Sequence, residues 1–336
     1  MKKVLALLVA LAVGATFAFA ESVLINGAGA TFPYPIYSKW FDEYGKANPG
    51  VAFNYQSIGS GGGIKQITAK TVDFGATDGP MSMDQLTAAP GRIYHIPTVM
   101  GAVVVAYNVE GVTKGLKLSG DVLADIYLGK ITQWNDPRIT EQNAGVNLPG
   151  SSIVVIHRSD GSGTSFIFTD YLSSVSSGWK GRVGKGTSVN WPLGLGGKGN
   201  EGVAGMLKQT PGSIGYVELA YAKQNGLSYA FIKNQSGTYI EPTLASTSKA
   251  ADGAAIPSDF RVSLVNSSNP EAYPIVSFTW LLIYKQMDDH TKGEAIVNFI
   301  KWAVTEGQKY AEELDYAPLP SNVVELIQKK LEQVKY

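Results

Sequence analysis

Ile153-Val154-Val155-Ile156-His157-Arg158-Ser159-Asp160-Gly161-Ser162-Gly163-Thr164-Ser165-Phe166-Ile167 is the stretch from which the fold can be read. Residues 153–158 read as a strand, opening on the apolar, β-branched Ile153-Val154-Val155-Ile156. Residues 163–172 carry Phe166, Ile167 and Tyr171 at helical spacing. The small residues Asp160-Gly161-Ser162-Gly163-Thr164 join the two, and a strand feeding a helix through such a turn is the repeating unit of an α/β sheet. The same turn has a chemical consequence. The first N–H groups of a helix have no intrahelical acceptor and lie at the positive end of its dipole, so they suit a small anion.

Two further segments share this construction. Gly29-Ala30-Thr31-Phe32-Pro33 follows a short apolar run over residues 22–26, and Gly59-Ser60-Gly61-Gly62-Gly63 follows a strand pattern over residues 51–58. After the first, Tyr37, Trp40, Phe41 and Tyr44 at i, i+3, i+4, i+7 predict a helix over residues 33–47. Thr31 is placed as its N-cap, Pro33 and Pro35 suit its first turn, and Asn48-Pro49-Gly50 closes it. A helix over residues 63–70 and a strand over 72–77, ending at Asp78, follow the second. Helices are expected from the Ser119 cap to residue 128 and over 294–304, 306–314 and 322–334. Two extended runs, residues 93–108 and 273–284, are long enough to pass from one lobe into another. The fold class expected is therefore α/β, with mostly parallel sheets covered on both faces and two lobes joined by two strands.

Composition narrows the function. Lys2 and Lys3, the apolar residues 4–13 and Ala18-Phe19-Ala20 have the layout of a secretory signal, with cleavage expected before Glu21 and export to the periplasm. Absence of cysteine rules out disulfides, thiolate metal sites and an N-terminal lipid anchor. Without Lys2 and Lys3 the chain has 26 basic and 28 acidic residues, a net charge of −2. That balance gives no support to a nucleic-acid or anionic-membrane partner. An anion receptor built on this chain needs local donors.

Arg158 and Asp160, two apart in an extended segment, share a face, so the carboxylate can aim the guanidinium. His157 should face the other way. Asp78, if it faces the anion, repels a fully deprotonated one and accepts a hydrogen bond from one that still carries a proton, such as HPO4 2−; this selects against sulfate. Other patterns are set aside. Gly194-Leu195-Gly196-Gly197-Lys198-Gly199 fits G-x-G-x-x-G but follows no clear strand. Ser177-Gly178-Trp179-Lys180 matches S-x-x-K without partner motifs. His95, His157 and His290 are scattered, Ser162 lacks a neighbouring base, and no cofactor is expected.

Gly27-Ala28-Gly29-Ala30-Thr31-Phe32-Pro33, Val72-Asp73-Phe74-Gly75-Ala76-Thr77-Asp78 and Arg158 to Ser165 closely resemble segments of the periplasmic phosphate-binding proteins of phosphate ABC transporters. So do Asp125-Ile126-Tyr127-Leu128-Gly129-Lys130-Ile131, Trp191 to Asn200 and Asp315-Tyr316-Ala317-Pro318-Leu319-Pro320, and the likeness runs in order along the mature chain. The resemblance implies a type II periplasmic binding-protein fold, with residues 21–103 and 274–336 as lobe I and 104–273 as lobe II. It implies phosphate ligands at Thr31, Phe32, Ser60 and Asp78 from one lobe and Arg158, Ser162, Gly163 and Thr164 from the other, with Asp160 supporting Arg158. Relatives often carry a second serine where this chain has Gly61; a backbone N–H or a water would then take that serine's place. The implied protein is a monomeric receptor, not an enzyme, which hands inorganic phosphate to a membrane permease. Against it stand a secreted phosphatase, for which neither metal ligands nor a nucleophile–base pair is found, and a sulfate or molybdate binder, against which Asp78 argues.

Overall fold

The computed structural model describes residues 22–113 and 115–336; the expected secretion signal over residues 1–20 lies outside them. Its strands, in chain order, are β1 (Val23–Gly29), β2 (Val51–Ser57), β3 (Phe74–Thr77), β4 (Ile93–Asn108), β5 (Lys117–Leu118), β6 (Val154–Arg158), β7 (Leu195–Gly197), β8 (Ser213–Glu218), β9 (Ser228–Tyr229), β10 (Phe231–Lys233), β11 (Tyr239–Ile240) and β12 (Val276–Tyr284). One large sheet runs β2-β1-β3-β12-β4-β8-β6-β7, with β9 paired to β4, while β11-β10-β5 form a small one.

The large sheet has two parallel flanks. β1 runs parallel to β2 and β3, and β6 runs parallel to β7 and β8. Between the flanks lie the two extended runs picked out from the sequence, and these pair antiparallel. β4 serves both sides: residues from Ile93 to Ala102 pair with β12, and Val103 to Asn108 pair with β8. The second run is shorter than expected, since pairing starts only at Val276. Ahead of it, Tyr273 is tied to the other strand, its hydroxyl donating to the Val103 carbonyl at 3.1 Å.

β4 also has a register shift opposite Thr279 and Trp280. Pro97, which has no N–H to give to a ladder, sits beside that bulge, a position where proline is tolerated. The shift matters for function because Thr279 reaches Asp78 from this point.

The helix Tyr34–Ala47 forms where the aromatic spacing predicted it, burying Ile36, Tyr37, Trp40 and Tyr44. Its aromatic face meets Phe53 of β2 and Phe299, with ring centroids 4.7 Å apart for Phe41–Phe53 and 4.6 Å for Phe53–Phe299. A second aromatic group, Tyr127, Phe168, Trp191 and Tyr216, packs beneath the β6–β8 flank, with Phe168 and Tyr216 stacked at 4.3 Å.

Three local expectations are corrected. Thr31 is not the N-cap of the first helix: Pro33 occupies that position and no side chain caps it. The Thr31 hydroxyl instead accepts from Asn200. The second helix spans Ser60–Thr68, so all three glycines lie inside its first turns; tertiary contacts override their poor helix propensity. Residues 306–314 form two 3-10 turns, Glu306–Tyr310 and Glu312–Leu314. The Trp40 indole donates to the Gly307 carbonyl at 2.7 Å, and the Ala311 N–H, which would claim that carbonyl in an α-helix, pairs with Gln308.

Candidate anion-binding site

The ends of β1, β3 and β6 and the starts of the helices Ser60–Thr68 and Gly163–Val175 converge where the two flanks meet. Thr31, Phe32, Ser60, Asp78, Arg158, Ser162 and Thr164 are all at most 3% exposed. Such burial of polar groups is tolerated only with partners, and each partner here has a direction.

On the first flank, Asp78 follows β3. Its Oδ1 accepts from the Thr279 hydroxyl at 2.8 Å and its Oδ2 from the Ser60 hydroxyl at 3.3 Å, while its N–H donates to Ser60 Oγ at 3.1 Å. Burial pushes the carboxyl up to about 7; Thr279, the Arg158 charge and Ser60 pull the other way. Asp78 is therefore a proton-sharing group near neutral pH, not a fixed charge. The Phe32 carbonyl accepts from the Tyr316 hydroxyl and the Thr31 carbonyl from that of Tyr221, both at 2.6 Å, which fixes the turn before the first helix.

On the second flank, Arg158 closes β6. Its Nε and Nη2 donate to the two oxygens of Asp160 at 2.8 and 2.5 Å, and Nη1 donates to Thr164 Oγ1 at 3.2 Å. These bonds engage three of its five N–H groups. Partial burial works to raise the Asp160 carboxyl, but the Arg158 guanidinium outweighs it and holds the group below the usual carboxylate range. The expected Arg158–Asp160 clamp is thus present, and His157 turns away to stack on Trp191 at 4.9 Å. Ser162 caps the helix Gly163–Val175, its Oγ accepting from Ser165 N–H at 3.0 Å.

The flanks also touch each other here. The Gly61 N–H donates to the Gly161 carbonyl at 2.8 Å, and a Cβ at Gly61 would lie 3.0 Å from Gly161 Cα. Gly61 therefore spends its donor on the opposite flank. Gly163 lies against Ser60 and Asp78, and a Cβ there would come within 2.5 Å of Asp78 Oδ2. Each of these contacts joins a residue of one flank to a residue of the other.

Two participants were missed. Thr279 lies in a run that reads as apolar strand. Asn200 follows the glycine-rich segment set aside above: no strand directly precedes Gly194, but Leu195–Gly197 inside the segment is a short strand, and the helix Gly199–Gln209 follows it. The N-terminus of that helix points at the site, with Gly199 N–H on Asp160 Oδ1 at 3.1 Å and Asn200 on Thr31 and Thr164. His95 is a core residue, its Nε2 accepting from Met81 N–H; burial, with the Arg261 charge, lowers it to about 3. Among the described residues no group of His, Cys, Asp and Glu could hold a metal, and no helix is long and apolar enough to cross a membrane.

Residues 17–306 match the family model described as PBP superfamily domain. The phosphate-binding protein PstS of Xylella fastidiosa (strain 9a5c) is 48% identical over 311 residues, covering 92% of this chain and 85% of that protein. The protein of the same name from Haemophilus influenzae is 47% identical over 315 residues, covering 93% of each. Among solved structures, the high-affinity periplasmic phosphate-binding protein PfluDING, bound with phosphate, superposes with a TM-score of 0.75 at 21% identity, over 91% of this chain and 93% of that one. This last likeness bears on the fold, which is that of the type II periplasmic binding proteins.

Proposed function

The chain belongs to the PBP superfamily and, within it, to the PstS phosphate-binding proteins, and from that premise we propose that it is an extracytoplasmic receptor for inorganic phosphate. It takes HPO4 2− or H2PO4 − between two lobes, residues 21–103 with 274–336 and residues 104–273, and delivers it to the membrane permease of an ABC transporter. The ligand set is Thr31, Phe32, Ser60 and Asp78 from one lobe and Arg158, Ser162, Gly163 and Thr164 from the other, with Asp160 holding Arg158. It works as a monomer, without cofactor or catalysis, in the periplasm after cleavage before Glu21.

One observation carries this reading: the buried acid Asp78 lies among hydrogen-bond donors drawn from both flanks, with the guanidinium of Arg158 held on Asp160 and Thr164. Hydrogen bonds to a charged acceptor contribute roughly 1.5–3 kcal/mol each. Micromolar affinity corresponds to about −8.2 kcal/mol. Several such bonds exceed that figure, so much of their sum offsets phosphate desolvation and closure. Closure is the expected response because each lobe holds half of the donors.

Calorimetric titration of the mature, phosphate-stripped protein tests this. One-to-one phosphate binding, displaced by arsenate and not by sulfate, is the expected result. Tight sulfate or molybdate binding would keep the fold and replace the ligand; hydrolysis of p-nitrophenyl phosphate by metal-replete protein would put the phosphatase first. In the same titration Gly163→Ala should lose about five- to 150-fold in affinity, because an added methyl at a filled contact costs about 1–3 kcal/mol. Unchanged affinity would mean that this contact does not limit closure.

A further inference from the structure

Asn200 does more than fill space between the flanks. It is fully buried, and its Nδ2 donates to Thr31 Oγ1 at 2.8 Å and to Thr164 Oγ1 at 3.1 Å. The orientation of its amide is fixed from behind, because the Glu218 N–H donates to Oδ1 at 2.9 Å and so requires the oxygen on that side.

A threonine hydroxyl has one proton to give and two lone pairs to offer. Thr31 Oγ1 accepts from Asn200 Nδ2 and, at 3.3 Å, from the Asn200 backbone N–H. Thr164 Oγ1 accepts from Asn200 Nδ2 and from Arg158 Nη1 at 3.2 Å. Both hydroxyls are therefore filled as acceptors, and each retains only its proton.

We propose that Asn200 is a positioning residue that sets the polarity of the site: it occupies the lone pairs of Thr31 and Thr164, one on each flank, so that both hydroxyls act only as donors to the bound oxyanion. The inference rests on the phosphate reading for its ligand. Its consequence is selectivity. With Thr31 and Thr164 unable to accept, a proton on the anion has Asp78 as its acceptor, so the discrimination attributed to Asp78 depends on Asn200 as well.

Four substitutions test this by phosphate calorimetry. Asn200→Asp puts an acceptor and a charge where a donor stood; it turns both hydroxyl protons away from the anion, and affinity at pH 8 should fall by more than about a hundredfold. Part of the loss should be regained as the pH is lowered and the new carboxyl takes up a proton. Asn200→Ala should cost about tenfold in the wild-type background and less than about twofold once Thr31→Val and Thr164→Val are present, because the hydroxyls through which it acts are then gone. A structural role would give the same loss in both backgrounds, with the thermal midpoint falling in parallel, and that result overturns the proposal. So does an Asn200→Asp protein that binds phosphate as the wild type does. If the wild type binds sulfate and not phosphate, the ligand reading fails, and the same cycle run with sulfate still decides the role of Asn200. A wild type that binds neither anion overturns both.

Discussion

Arg158→Ala should remove most phosphate binding while leaving a folded protein. The guanidinium is the one cation in the constellation, its side chain is 1% exposed, and it is held by both oxygens of Asp160 and by Thr164. Truncation removes the charge and the two N–H groups left for an anion, and it leaves Asp160 facing the same space without its counterion. Losing one member of a buried, hydrogen-bonded charge pair costs about 2–5 kcal/mol in measured complexes. In affinity that is roughly 30- to several-thousand-fold.

Arg158→Lys should fall between, since a lysine restores charge but not the planar fork that engages Asp160 and Thr164 together. Adding Asp160→Ala to Arg158→Ala should recover some affinity by removing the orphaned carboxylate. Phosphate titrations of the four proteins, with circular dichroism to check folding, make the test. If Arg158→Ala binds within about threefold of wild type, a difference under 1 kcal/mol, the clamp is a structural ion pair and the site must be sought elsewhere.

The parts of this site that were legible in the sequence are those with a local signature. Gly59-Ser60 and Gly161-Ser162-Gly163 punctuate apolar strands, and helical spacing of Tyr37, Trp40 and Tyr44 follows directly, so strand, turn and helix could be read from short windows. Arg158 and Asp160 were placed correctly because alternation along a strand is a two-residue rule. The parts that were not legible depend on distance along the chain. Asn200 is 169 residues from Thr31, and the strand before it is three residues long, with Leu195 exposed, so no apolar alternation marks it. Thr279 did leave a trace: it and Ser277 are the small hydroxyl residues of a buried strand whose other members are aliphatic or aromatic, and a buried hydroxyl needs a partner. The antiparallel centre of the sheet had no such trace, because composition does not reveal which way neighbouring strands run.

Asp78→Asn should relax the choice of anion and flatten the dependence of stability on pH. The amide of an asparagine donates as well as accepts, so an oxyanion without a proton meets a donor where it met a carboxylate, and the ratio of phosphate to sulfate affinity should drop by about a hundredfold or more for the like-charge contact removed. The carboxyl of the wild type, raised by burial from 3.8 to about 7, makes a second, ligand-free statement. A carboxyl with a folded-state value above its unfolded one favours folding while protonated. Its contribution is full below the ordinary carboxyl range and is lost as the pH rises toward neutrality. About three pH units at 1.36 kcal/mol each gives roughly 4 kcal/mol for that loss. Denaturation of phosphate-free protein between pH 4 and 8 should therefore show the wild type weakening relative to Asp78→Asn as the pH rises. Acid should also do to the wild type, in part, what the amide does: below pH 7 a protonated Asp78 donates, and sulfate affinity should climb. Parallel stability curves for the two proteins would mean that Asp78 is ionised at little cost. A variant that still ignores sulfate would remove Asp78 as the discriminator and shift selectivity to the donors around Arg158.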